Sequence, residues 1–174
     1  FTISGWFMLN EWIAMADNEK VLLLINEISN LLALLIELKK KGRFKEALEN
    51  VDNTLLKYFN CDHQFIYSVS EDFLIDALKE EKGLSVEELS SLADVLHEKG
   101  DILFKQNNLK ASNKILSNAL KIYFFLNDNQ DFFSFKNMNK MILINEKLAK
   151  INLRIDEWSI ESSWRDLINC LKIG

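Results

Sequence analysis

Apolar residues recur every three to four positions along most of this chain, the spacing of an amphipathic helix. Phe44, Ala47, Leu48, Val51, Leu55 and Phe59 form one such stripe and predict a helix over 44–59. Before it, Asp17 and Asn18 are N-cap candidates for a long helix from about Glu19 to Lys41. Gly42 follows three lysines and is placed to stop that helix. The short connection makes the two helices an antiparallel hairpin. Cys61 to Val69 reads as a connection, and Ser70 as the cap of a shorter helix through Lys82, ended by Gly83. Ser85-Val86-Glu87-Glu88 is a capping box. The helix it opens carries Leu89, Leu92, Ala93, Leu96, Gly100, Leu103 and Phe104, and breaks at Asn107-Asn108. A partner helix follows with Leu109, Leu116, Ala119, Leu120 and Tyr123. After the polar break Asn127 to Asp131, one helix is expected from Phe132 to Asp156 and a last from Ile160 to Lys172. The expectation is an all-α fold of about seven helices in one domain, 1–174. It comprises a first hairpin (19–59), an inserted helix (70–82), a second hairpin (86–126) and C-terminal helices (132–172).

The two hairpins repeat each other at an offset of 65 residues. Gly42 aligns with Asn107, Phe44 with Leu109, Ala47 with Ser112, Leu55 with Leu120 and Tyr58 with Tyr123. A turn residue is followed by a bulky plug, then by a small residue that lets two helices approach closely. Gly42, Phe44 and Ala47 in this pattern, with Gly100 and Ala119 at two further small positions, resemble the tetratricopeptide repeat. Leu35 and Thr54 stand where that motif has small residues, its terminal proline is missing, and the spacing is not its usual 34. The layout, with segments such as Lys41 to Leu48 and Leu92 to Asp101, is also similar to a family of bacterial proteins with tetratricopeptide-like helices and no established activity. The resemblance implies a right-handed helical array with a concave groove. In its register Asp94, His97, Glu98, Asp101 and Lys105 face that groove from the second hairpin, and Ser29, Leu32, Ala33, Ile36 and Lys40 from the first.

Composition narrows the class. The chain has 174 residues, no proline and only five glycines. Turn-rich β folds and Gly-rich nucleotide-binding loops need those residues. A net charge of −5 and a pI near 5.2 argue against nucleic acid. Lys39, Lys40, Lys41 and Arg43 mark a helix C-terminus, where cations are favoured. Cys61 and Cys170 are no disulfide framework and suit a reducing cytoplasm. The apolar run Val21 to Leu38 is interrupted by Asn26, Glu27, Ser29, Asn30 and Glu37, so it is expected to fall short of a membrane span.

Candidate chemistry is thin. Asp94, His97 and Asp101 share a helix face, but a di-metal site needs a second such set. Cys61-Asp62-His63 supplies too few ligands for zinc and reads as a polar connection. The sequence has no Gly-x-Ser-x-Gly, His-Glu-x-x-His or P-loop motif. Tyr123, Phe124, Phe125, Phe132, Phe133 and Phe135 crowd one stretch, and not all can point inward. Trp6, Trp12, Trp158 and Trp164 lie at the two chain ends, where helices cap an array and one end can self-associate. The apolar segment Phe1 to Trp12 is expected to dock across the first groove, over Leu32, Ala33 and Ile36, either in its own chain or in a neighbour's. Together these features point to a non-enzymatic, cytoplasmic module that binds a protein or peptide. It is expected to use no cofactor, no metal, no nucleic acid and no membrane. The alternative is a structural protein that forms a homodimer; a metal-binding protein or hydrolase comes third.

Overall fold

The computed structural model describes the backbone of residues 3–128 and 134–172, and the side chains of residues 17–128, 134–166, 168 and 169. The described residues form seven α-helices and no strand: α1 (Ile3–Lys40), α2 (Phe44–Phe59), α3 (His63–Ser68), α4 (Leu74–Asp76), α5 (Val86–Lys105), α6 (Leu109–Asp128) and α7 (Phe135–Lys172). A π-helical turn, Ala77–Glu81, continues α4.

Proline is absent, so left-handed residues do most of the stopping. The described residues with positive φ are Gly42, Asn60, Gly83 and Asn107, and they follow α1, α2, the π turn and α5. Gly42 closes α1 through Arg43 N–H to the Leu38 carbonyl (2.9 Å) and Gly42 N–H to Lys39 (3.2 Å). Asn107 closes α5 through Asn108 to Leu103 (2.9 Å) and Asn107 to Phe104 (3.0 Å). These are the same two bonds of a Schellman turn, displaced by 65 residues. The aligned small residues Ala47 and Ser112 are both fully buried, and the plugs Phe44 and Leu109 pack partly buried against the core.

The same logic explains where sequence expectation and structure part. Asp17 and Asn18 cap nothing: α1 runs through them, because no left-handed residue interrupts it. Residues 157–159 likewise do not split α7, which is one helix of 38 residues. The connection at 61–69 contains α3, opened by Asp62, whose side chain accepts from Phe65 N–H at 2.7 Å. Ser70 makes only a turn to Phe73, and the inserted helix starts at Leu74. The Ser85–Glu88 capping box forms in both directions, at 2.8 and 3.2 Å. An N-terminal segment folded back over the first groove is ruled out within one chain, since residues 3–16 continue α1 itself.

α5 lies at the centre. It packs on α1, α2 and α6, while α7 packs on α6 and reaches α5 with its side chains. The main core joins Leu35, Val51, Leu55, Leu89, Leu92, Leu96, Ile115, Leu116 and Ile122, each 0–2% exposed. Ile144 and Ile151 extend it into α7.

Candidate functional site

α5 carries the polar stripe Asp94, His97, Glu98 and Asp101, and three other helices reach it with cations or a hydroxyl. Asp94 accepts from Tyr123 Oη on α6 at 2.5 Å and pairs with Lys140 on α7. Asp101 pairs with Lys147 on α7, with Lys39 on α1 at 3.2 Å and with Lys105 at 3.6 Å. Glu98 holds Lys39 at 2.5 Å. Asp94 and Asp101 are seven residues apart, as are Lys140 and Lys147, so α5 and α7 run parallel with two turns of the same register bridged. Behind the stripe Lys99, 2% exposed, reaches Asp52 on α2 at 2.6 Å.

The electrostatics follow from partial burial. Burial works to raise the Asp101 carboxyl, but Lys147 and Lys39 outweigh it and hold the group below its ordinary value. Burial works to lower Lys39, but Glu98 and Asp101 raise it overall. Burial lowers His97 and outweighs Glu98 and Asp101. Burial, with Asp94 close by, raises Tyr123 strongly, so its hydroxyl stays a donor. These α5 carboxylates are therefore neutralised by the chain's own lysines.

No family model, curated protein or solved structure matches this chain. The site rests on its own geometry.

The first-hairpin positions form a different surface. Ser29, Ala33, Ile36 and Lys40 are exposed, and Leu32 is half-buried. At 3.6 residues per turn, Leu32, Ile25, Ile36 and Ser29 follow Lys39 round α1 in steps of about 20°. Lys39 faces the α5 carboxylates, so this apolar ridge lies beside them on the same side of the molecule. Leu22 and Ile25, 65% and 46% exposed, prolong it toward the N-terminal end. The two sets of residues expected to face a groove therefore sit on neighbouring helices but differ in kind: one apolar and open, one polar and self-paired. The sequence missed the lysines of α7, although the matching seven-residue spacings were there to be read.

Asp17–Lys40 is long and apolar enough, at a mean hydropathy of 2.0, to cross a membrane by length and composition, so the polar interruptions alone do not disqualify it. One face of that stretch, Leu24, Ile28, Leu31, Leu35 and Leu38, is buried in the core.

The other candidates resolve into local roles. Cys61 is buried, with its thiol toward the Phe59 carbonyl at 3.3 Å. Burial pushes that thiol up to about 11. Asp62 caps α3, and His63 lies against the Tyr67 ring at 4.3 Å between centroids. No group of three His, Cys, Asp or Glu residues able to hold a metal occurs among the described residues. Of the aromatic stretch, Tyr123 is buried, Phe125 is half-buried under Lys79, and Phe124 and Phe135 are exposed. Phe132 and Phe133 lie outside the described residues, as do the side chains of Trp6 and Trp12. Trp158 and Trp164 are 77% and 62% exposed. Trp158 and Arg154 of α7, with Asn107 to Lys110 of the α5–α6 turn, line a cleft of about 560 Å³ to which none of the α5 stripe residues contributes.

Proposed function

We infer that this chain is a non-enzymatic interaction module of tetratricopeptide-like hairpins in a right-handed array, and that it binds an apolar helical segment of another protein. The single observation that supports this most is the exposed ridge Leu22, Ile25, Ser29, Ala33 and Ile36 on α1. Small residues at 29 and 33 leave a shallow groove between larger ones, the shape that receives side chains of an amphipathic helix. A partner helix gains apolar burial there without having to strip Asp94, Glu98 and Asp101 of their lysines. The carboxylate stripe thus acts as the rigid floor beside the docking ridge, not as the ligand contact. In the same reading the protein works in a reducing cytoplasm, which suits the free, buried thiol of Cys61.

Selection from a random displayed peptide library tests the reading. Amphipathic peptides should be recovered on the native chain and lose at least tenfold in affinity on Ile25→Glu and Ile36→Glu, both surface changes that leave the melt intact. Recovery of no peptide, or equal binding to both variants, refutes it.

A further inference from the structure

α7 outruns everything it packs on. Its 38 residues span about 57 Å, against about 30 Å for the 20 residues of α6. Met141, Ile144, Ile151 and half-buried Ile155 face the core. On the opposite side lie Met138, Ile142, Ala149, Leu153, Ile160 and Trp164, all exposed. Their intervals are 4, 7, 4, 7 and 4, so two apolar positions repeat every eleven residues. Eleven residues are close to three full turns, and the stripe stays on one face from end to end.

That spacing is also a palindrome about position 151. Reversing the helix puts Met138 on Trp164, Ile142 on Ile160 and Ala149 on Leu153, apolar on apolar at each step. The charges agree with a reversed partner. With Lys140 and Lys147 spent on α5, the first half of α7, up to the centre at 151, keeps Lys136 and Lys150 against Glu146. The second half carries Asp156, Glu157, Glu161 and Asp166 against Arg154, Arg165 and Lys172, so the two halves still differ in sign. Antiparallel pairing sets the basic half against the acidic half, and parallel pairing sets like on like.

We propose that α7 pairs antiparallel with α7 of a second copy, about a two-fold axis beside residue 151. The interface is isologous and closed, so association stops at the dimer. The exposed parts of the six side chains amount to roughly 500–600 Å² per copy, so pairing buries on the order of 1,000 Å² in all, where specific interfaces begin. A micromolar dimer is the expected strength. One contact in this register is unfavourable: position 146 maps onto 156, and Glu157 of the second copy, the next residue along, lies on the same flank of the stripe as Glu146, so two like charges become neighbours.

That mismatch supplies the test, on the full chain by sedimentation equilibrium. Wild type is expected to be a monomer–dimer system with a micromolar Kd. Glu146→Lys and Glu157→Lys should each tighten it about two- to fivefold by turning repulsion into attraction. The double variant, with lysines now opposed, should fall back to the wild-type range. Leu153→Glu should give a monomer with an unchanged low-concentration melt. Because these substitutions sit on the exposed face, misfolding cannot imitate the rise and fall. A wild-type monomer at 100 μM, a series of species larger than dimer, or single reversals that leave Kd unmoved would overturn the proposal. Peptide capture on α1 is read separately, so either reading can fail without the other.

Discussion

Gly100 offers a sharp check on the packing of α5 against α6. In an ordinary helix, Gly→Ala stabilises by about 0.8–1.0 kcal/mol through backbone entropy. Here a Cβ at position 100 would lie 2.5 Å from Leu116 Cγ and against its Cδ2, where carbon atoms prefer about 3.5–4.0 Å. Leu116 is fully buried, and the Ser112 hydroxyl donates to the Gly100 carbonyl at 2.7 Å, which pins the two helices together. Neither side can yield cheaply, so overpacking of about 1–3 kcal/mol competes with the propensity gain. Gly100→Ala should destabilise by about 1 kcal/mol net, a fall of about 2–4 °C in melting temperature for a chain of this size. The decisive comparison is a double-mutant cycle. Leu116→Ala alone should cost about 2–5 kcal/mol by leaving a cavity. In that background the obstruction is gone, and Gly100→Ala should now stabilise by about 0.5–1 kcal/mol. Urea unfolding followed by far-ultraviolet circular dichroism measures all four proteins. Stabilisation by Gly100→Ala in the wild type, or coupling below about 0.3 kcal/mol, refutes the close approach.

Ala47, fully buried at the aligned position of the first hairpin, should respond in the same sense: Ala47→Leu is expected to cost about 1–3 kcal/mol in the same assay. Stability should decline in two stages on acidification. His97, held low by burial, contributes fully above its unfolded value near 6.5 and is lost as pH falls toward its folded value; Asp101, held low by Lys147 and Lys39 against the burial that would raise it, contributes above about 3.9 and is lost as pH falls through its folded value. A His97→Gln variant whose melting temperature drops as much as wild type between pH 7.5 and 5.5 would contradict the first stage. In a Cys170→Ser variant the Cys61 thiol, buried and pushed up to about 11, should resist iodoacetamide at pH 8 in the native chain and react on unfolding; prompt native labelling would show that the α2–α3 junction opens.

Much of the fold was written locally. The Schellman turns at Gly42 and Asn107 and the Ser85–Glu88 box depend on a few adjacent residues, and they appear where the pattern placed them. The failures were also local in kind. Asp17-Asn18 and residues 157–159 look like breaks by polarity, yet polarity alone does not end a helix; a residue that leaves helical dihedrals does. Asp62 was weighed as a metal ligand, when an aspartate before a short apolar run also makes an N-cap. The site was harder, because its partners are remote in sequence. Lys39 and Asp101 are 62 residues apart, and Lys147 a further 46 beyond Asp101. Which lysine meets which carboxylate depends on the register between helices, and that register follows from core packing.

Those pairings decide which surfaces are left to bind. Withdrawing Lys39, Lys140 or Lys147 would strand partly buried carboxylates, at a cost of several kcal/mol that a ligand of the α5 stripe would have to supply. Binding free energy is therefore gained more readily on the apolar ridge of α1 and the palindromic stripe of α7, where no ion pair must be broken. α5 stands between the ion-paired sides of these two helices, and the α7 stripe faces away from α6. The two surfaces do not compete for the same space. A dimer joined through α7 would carry one α1 ridge on each copy, and a tethered two-site ligand would then bind 10²-fold or more tighter than a single-site one if its linker spans the ridges. Leu153→Glu should abolish that gain while leaving single-site affinity unchanged. Equal two-site affinity before and after the substitution would mean that the ridges act alone.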